Sequence, residues 1–152
     1  EALLVKTPLH SDCTCVFPLI DRAMEVCDDI HAMRDPTRGG LSSTLNEFVM
    51  DQQFGIEIHE TAVPVNDPVR AICELLGFDP LNLANEGKVV MVAPYENAEK
   101  IIEAMRLSSL GSEASIIGRV TDRYPGKVCI KTVVGGERIM DMIVEEPFPR
   151  IC

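Results

Sequence analysis

Ala114-Ser-Ile-Ile-Gly-Arg-Val-Thr-Asp-Arg-Tyr-Pro-Gly-Lys-Val-Cys-Ile-Lys-Thr-Val-Val-Gly-Gly-Glu-Arg-Ile-Met-Asp-Met-Ile143 reads as three strands in quick succession. The candidates are Ala114–Thr121, Lys127–Val133 and Arg138–Ile143, each rich in β-branched or apolar residues and bounded by turn formers. Gly135-Gly136 marks a hairpin turn between the last two. Upstream, Ile56-Glu57-Ile58-His59-Glu60 alternates as a strand with one buried face does, and the unbroken apolar run Val89-Val90-Met91-Val92-Ala93 predicts a central strand buried on both faces.

Helical spacing separates these strands. Ile20, Ala23, Met24, Cys27 and Ile30 form one apolar stripe in a helix expected over 16–33, with Pro18 in its first turn. Leu41, Leu45, Phe48 and Val49 form a second, stopped near Gly55. Asn66-Asp67-Pro68 opens a third helix, with Val69, Ile72, Cys73 and Leu76 on its apolar face and Gly77 at its end. Ala98, Ile101, Ile102 and Met105 mark a fourth. Helices and strands alternate irregularly, and strands gather near the C-terminus. That order predicts an α+β fold of the α/β sandwich type, a mixed β-sheet with helices packed on it, rather than a doubly wound sheet.

The 152 residues allow one core and one domain, and 46% hydrophobic with 25% charged residues is an ordinary globular mix. The net charge of −10 repels phosphate backbones and anionic lipid, which argues against nucleic-acid and membrane partners. No apolar run approaches the ~18 residues of a membrane span. The start at Glu1 carries no signal-peptide pattern and reads as a fragment that lacks an N-terminal partner domain. Cys27, Cys73 and Cys129 sit inside apolar segments as small hydrophobes, which fits a reducing, cytoplasmic setting. Cys13 and Cys15 are too close, and lack the second pair, for a zinc site; His10, His31 and His59 are scattered, so no metal ligands are assigned.

Three stretches can carry chemistry. In Glu145-Glu-Pro-Phe-Pro-Arg-Ile-Cys152, Pro147 and Pro149 keep the backbone extended, at ~3 Å per residue, with a thiol at the tip. Cys152 is either an accessible nucleophile or carrier, or the last residue of a frayed end. In Asp35-Pro-Thr-Arg-Gly-Gly40, Gly39 and Gly40 at a helix start let backbone N–H groups approach an anion, and Arg38 can pair with it. The alternative is a turn in which Asp35 or Thr37 caps the helix. In Asn85-Glu-Gly-Lys88, Glu86 is either a general base on a strand-edge loop, if partly desolvated, or an exposed acid paired with Lys88.

Together, Met33-Arg-Asp-Pro-Thr-Arg-Gly-Gly-Leu41, Leu83-Ala-Asn-Glu-Gly-Lys88, Ile116-Ile-Gly-Arg-Val-Thr121 and Pro149-Arg-Ile-Cys152 resemble, in this order, the C-terminal domain of the hydrogenase maturation proteins HypE. HypE belongs to the superfamily of aminoimidazole ribonucleotide synthetase, selenophosphate synthetase and thiamine monophosphate kinase. The resemblance implies residues 1–144 as a C-terminal domain like that of aminoimidazole ribonucleotide synthetase, residues 145–152 as a carrier tail, and an ATP-binding N-terminal domain outside this chain. It implies a carbamoyl dehydratase in which Cys152 accepts a carbamoyl group from the carbamoyltransferase HypF. The thiocarboxamide is dehydrated with ATP and Mg2+ to a thiocyanate, and the cyanide passes to the HypC–HypD complex for the iron of nickel–iron hydrogenase. It further implies a homodimeric whole protein, Cys152 as carrier, Glu86 as base, and Asp35, Thr37, Arg38, Gly39, Gly40 and Asn85 along the channel where tail and nucleotide meet. The fragment alone is then expected to be inactive. The competing readings are a non-catalytic interaction domain, or a domain of another ATP-dependent synthetase or kinase of the superfamily.

Overall fold

The computed structural model describes residues 10–142. The tail at 145–152, Cys152 included, lies outside the described residues.

Four helices and two sheets form the described chain. Helix α1 (Phe17–Val26) leads to strand β1 (Ala32–Arg34), helix α2 (Gly40–Val49) and strand β2 (Gly55–His59). Helix α3 (Asp67–Leu76), strand β3 (Val90–Val92) and helix α4 (Tyr95–Arg106) follow. Strands β4 (Gly118–Thr121), β5 (Val128–Lys131) and β6 (Glu137–Met140) close the fold. The larger sheet has the order β4-β2-β5-β6, with β2 and β5 parallel and the other pairs antiparallel; β1 and β3 form a separate antiparallel pair. The mixed-sheet α+β expectation is borne out. Among the described residues no helix is long and apolar enough to cross a membrane.

Two apolar clusters hold these layers. Leu41, Leu45 and Val49 of α2 pack on Ile56, Ile58, Val128, Ile130 and Met140 of the four-stranded sheet, together with Leu81. Leu19, Ala23 and Cys27 pack on Ile101 and Met105 of α4. Burying a Leu or Ile side chain stabilises by roughly 1.5–3 kcal/mol, so these faces fix the layer order.

Three local expectations are corrected. The first helix ends at Val26 rather than Met33, and Met33 lies in β1. Asp28 and Asp29 directly after its end oppose the helix dipole, and Cys27 turns extended. The second helix ends at Val49, well before Gly55, which instead starts β2. The run 89–93 is a three-residue, half-buried strand with one hydrogen-bonded neighbour. Its apolar continuity comes from contact with both clusters: Val89, Met91 and Ala93 touch the α1–α4 core, and Val90 touches the other.

Candidate active site

The fold brings two of the three sequence stretches together. The Asp35–Gly40 loop runs from β1 into α2, and the Leu83–Lys88 loop runs from a short 3-10 turn (Pro80–Asn82) toward β3. The backbone N–H of Asn85 donates to the Pro36 carbonyl at 2.9 Å, and Pro36 is buried. A cavity of about 280 Å³ lies alongside, lined by Val16, Ile20, Met33, Arg34, Asp35, Lys88 and Val89. A larger cavity of about 410 Å³ sits at α3 and contains none of these motif residues. Its Cys73 thiol is pushed up by burial and then by the nearby Asp79 carboxylate, which keeps it protonated and a poor nucleophile.

Gly39 and Gly40 have φ of 70° and 61°, the left-handed region that favours glycine. A Cβ on Gly40 would lie 2.7 Å from the Leu81 carbonyl oxygen and closer still to that of Leu83. A Cβ on Gly39 would collide with the Ser43 side chain. The Gly40 N–H donates to the Thr37 carbonyl at 3.1 Å, and no side chain caps α2. The glycine pair is therefore explained by close packing of the chain on itself. Protein atoms fill the space a Cβ would need at both positions. Asp35 and Arg38 present exposed side chains from the same loop.

Glu86 is exposed. Lys88 does not pair with it. The Lys88 ammonium instead donates to Asn85 Oδ1 at 2.6 Å and to Asp12 Oδ2 at 3.1 Å. Asn85 Nδ2 also donates to the Leu83 carbonyl at 2.6 Å, so the loop is braced internally. Of the exposed-acid alternative, the exposure is found and the pair with Lys88 is not. Among the described residues no group of three or more His, Cys, Asp or Glu side chains is placed to hold a metal ion.

Two features escaped the sequence reading. Asp12 reaches the Glu86 loop from the segment before α1, a contact with no local signal. Glu57, read as the outward residue of an alternating strand, has 0% relative exposure. It lies among Arg119, Arg123 and Lys131, whose stems cover the second face of the sheet.

A family model described as the C-terminal domain of AIR synthase related proteins matches residues 7–131. The chain belongs to this family. Among its AIR synthase related relatives, the carbamoyl dehydratase HypE of Azotobacter vinelandii is 43% identical over 152 residues, covering 100% of this chain and 45% of that protein. The crystal structure of the hydrogenase maturation protein HypE in complex with ATP superposes with a TM-score of 0.85 at 38% identity, over 92% of this chain and 44% of that one. HypE in its crystallised complex with HypF matches with a TM-score of 0.85 at 41% identity, over 93% and 46%. The chain thus spans a little under half the length of each of these relatives.

Proposed function

We propose that this chain is the C-terminal part of an ATP-dependent carbamoyl dehydratase of hydrogenase maturation. The carrying observation is the joining of the Pro36 and Asn85 loops by a main-chain hydrogen bond beside a cavity lined by Asp35 and Lys88. Two motifs far apart in sequence thereby make one wall of a site, and the AIR synthase related family, with HypE relatives matched over all of this chain, supports the chemistry.

In this reading the Cys152 thiol accepts a carbamoyl group from HypF and becomes a thiocarboxamide, S–C(=O)–NH2. Dehydration removes the oxygen and both nitrogen protons and leaves a thiocyanate, S–C≡N. ATP, when bound, supplies the phosphoryl group that makes the oxygen a leaving group, so the balance is thiocarboxamide plus ATP to thiocyanate, ADP and phosphate. Glu86 accepts a nitrogen proton; it is the carboxylate on the braced loop that Lys88 leaves unpaired. The Asp35–Gly40 loop and Asn85 form the wall against which the carbamoylated tail lies, with Arg38 and Thr37 supplying polar contacts. A wall of this kind excludes water, which would otherwise hydrolyse the activated group.

ATP and Mg2+ are assigned chiefly to the part of the protein beyond this chain, the ATP-binding N-terminal domain that the resemblance to HypE implies. HypC–HypD as cyanide acceptor and a homodimeric whole protein belong to the same proposal.

The test is mass spectrometry of the full-length protein incubated with HypF, carbamoyl phosphate and ATP. The expected result is a gain of one carbamoyl group at Cys152, followed by loss of one water. Cys152→Ala should take up no carbamoyl group, and Glu86→Gln should take it up but dehydrate slowly. A carbamoyl adduct retained by Cys152→Ala refutes the carrier assignment; thiocyanate formed at the parental rate by Glu86→Gln removes Glu86 from the mechanism.

A further inference from the structure

Asp12 lies in the irregular segment ahead of α1, 74 residues from Glu86 in sequence. Its Oδ2 accepts from the backbone N–H of Glu86 at 3.2 Å and from the Lys88 ammonium at 3.1 Å. Between those residues, Gly87 has no room for a side chain. A Cβ there would fall on the Asp12 carbonyl oxygen, 2.7 Å from its carbonyl carbon and 3.1 Å from Thr14 Cγ2. The segment at 12–14 is therefore laid directly on the Glu86 loop, with one carboxylate gripping the loop on both sides of the glycine.

The grip has two consequences. It fixes the backbone at Glu86, on a loop already tied to Pro36 through Asn85. It also occupies the ammonium of Lys88, two residues from Glu86, together with Asn85 Oδ1. A cation released beside a carboxylate favours its charged form and makes it a weaker base. Small displacements of a reacting group are costly as well.

We infer that Asp12 is a positioning residue of the dehydration step that acts through Lys88, holding its ammonium away from the Glu86 carboxylate. The inference rests on the reading of Glu86 as the proton acceptor. Asp12 itself touches no reacting atom in this scheme.

The experiment uses the full-length protein, carbamoylated beforehand at Cys152, with dehydration followed in a single turnover by mass spectrometry after ATP is added. Asp12→Asn keeps the shape and removes the charge. It is expected to lower the rate constant about tenfold. Replacing Lys88 as well, in Asp12→Asn/Lys88→Met, is expected to recover most of that loss, because the released cation is gone. A purely structural role for Asp12 gives no such recovery, since the double variant has lost one more contact. Asp12→Asn at the parental rate overturns the inference, and so does a slow Asp12→Asn variant that the Lys88 replacement fails to restore. Glu86→Gln in the same assay separates the two levels. If Glu86→Gln is slow and Asp12→Asn is not, only the role of Asp12 fails; if Glu86→Gln is itself unimpaired, the underlying reading fails.

Discussion

Replacing Glu57 by Gln tests whether charge or shape holds the outer face of the four-stranded sheet. Glu57 Oε1 lies 3.0 Å from Lys131 Nζ and 3.1 Å from an Arg119 nitrogen, and Oε2 lies 3.5 Å from Arg123. The carboxylate is fully covered, while the side chains of Lys131, Arg123 and Arg119 are 33%, 52% and 65% exposed. That asymmetry sets the magnitude. A charge-assisted contact such as that to Lys131 is worth about 1.5–3 kcal/mol, whereas ion pairs to half-exposed arginines contribute a few tenths each after solvent screening. The neutral amide of the Glu57→Gln variant relieves the cost of burying an anion, so the net loss at pH 7 is about 1–2 kcal/mol. The hydrogen bond from Lys131 holds the Glu57 carboxyl below its ordinary value of 4.5; burial opposes this, and the Lys131, Arg119 and Arg123 charges reinforce it. A carboxylate whose pKa is depressed by folding stabilises the fold above its unfolded value and loses that contribution as pH falls through the folded value. Urea unfolding at low salt should therefore show parent and Glu57→Gln well separated at neutral pH, with the gap closing as pH drops below 4.5. Equal midpoints at pH 7, or a gap unchanged in acid, would refute the electrostatic account and leave only packing.

Gly40→Ala should destabilise the protein by about 2–4 kcal/mol, because the left-handed backbone disfavours Ala and its Cβ must displace the Leu81 and Leu83 carbonyls; thermal unfolding with a shift of a degree or less would contradict this. Isothermal titration of this 152-residue chain with ATP should show no micromolar binding, since ATP is assigned in the proposed function chiefly to the part of the protein beyond this chain; tight binding would place the nucleotide site within the chain.

The sequence is most legible where a signal is local. The Gly135 turn and the start of α3 at Asp67-Pro68 appear where turn chemistry places them, and the three C-terminal strands appear in order but shorter than expected, β4 starting at Gly118 rather than Ala114, β5 ending at Lys131 rather than Val133 and β6 ending at Met140. Helix ends are less legible. Val26 and Val49 end α1 and α2 although apolar residues continue at plausible spacing, because β1 and β2 then recruit the following residues into strands. Such pairing is non-local, and no window of sequence contains both partners. Burial of Glu57 fails for a related reason. Alternation assigned it to the wet face, but Arg119, Arg123 and Lys131 come from other segments, and only the sheet register sets them around it.

The candidate site follows the same logic at higher stakes. Residue type and spacing single out Asp35–Gly40 and Asn85–Lys88, yet they leave each with a structural alternative. For Glu86 that alternative was a local ion pair with Lys88, two residues on. In the fold Asp12, 74 residues from Glu86, engages the lysine, so that pair is not made and Glu86 stays exposed. A short-range pair is the default for neighbouring opposite charges, since little chain entropy opposes it. Its absence requires a competing partner with better geometry, and Asp12 supplies one by also binding the Glu86 N–H across a glycine that admits its backbone. Gly87 is thus what makes the long-range partner possible: any side chain there would lift Asp12 off the loop, return Lys88 to its nearest acid, and weaken the base that the proposed dehydration needs.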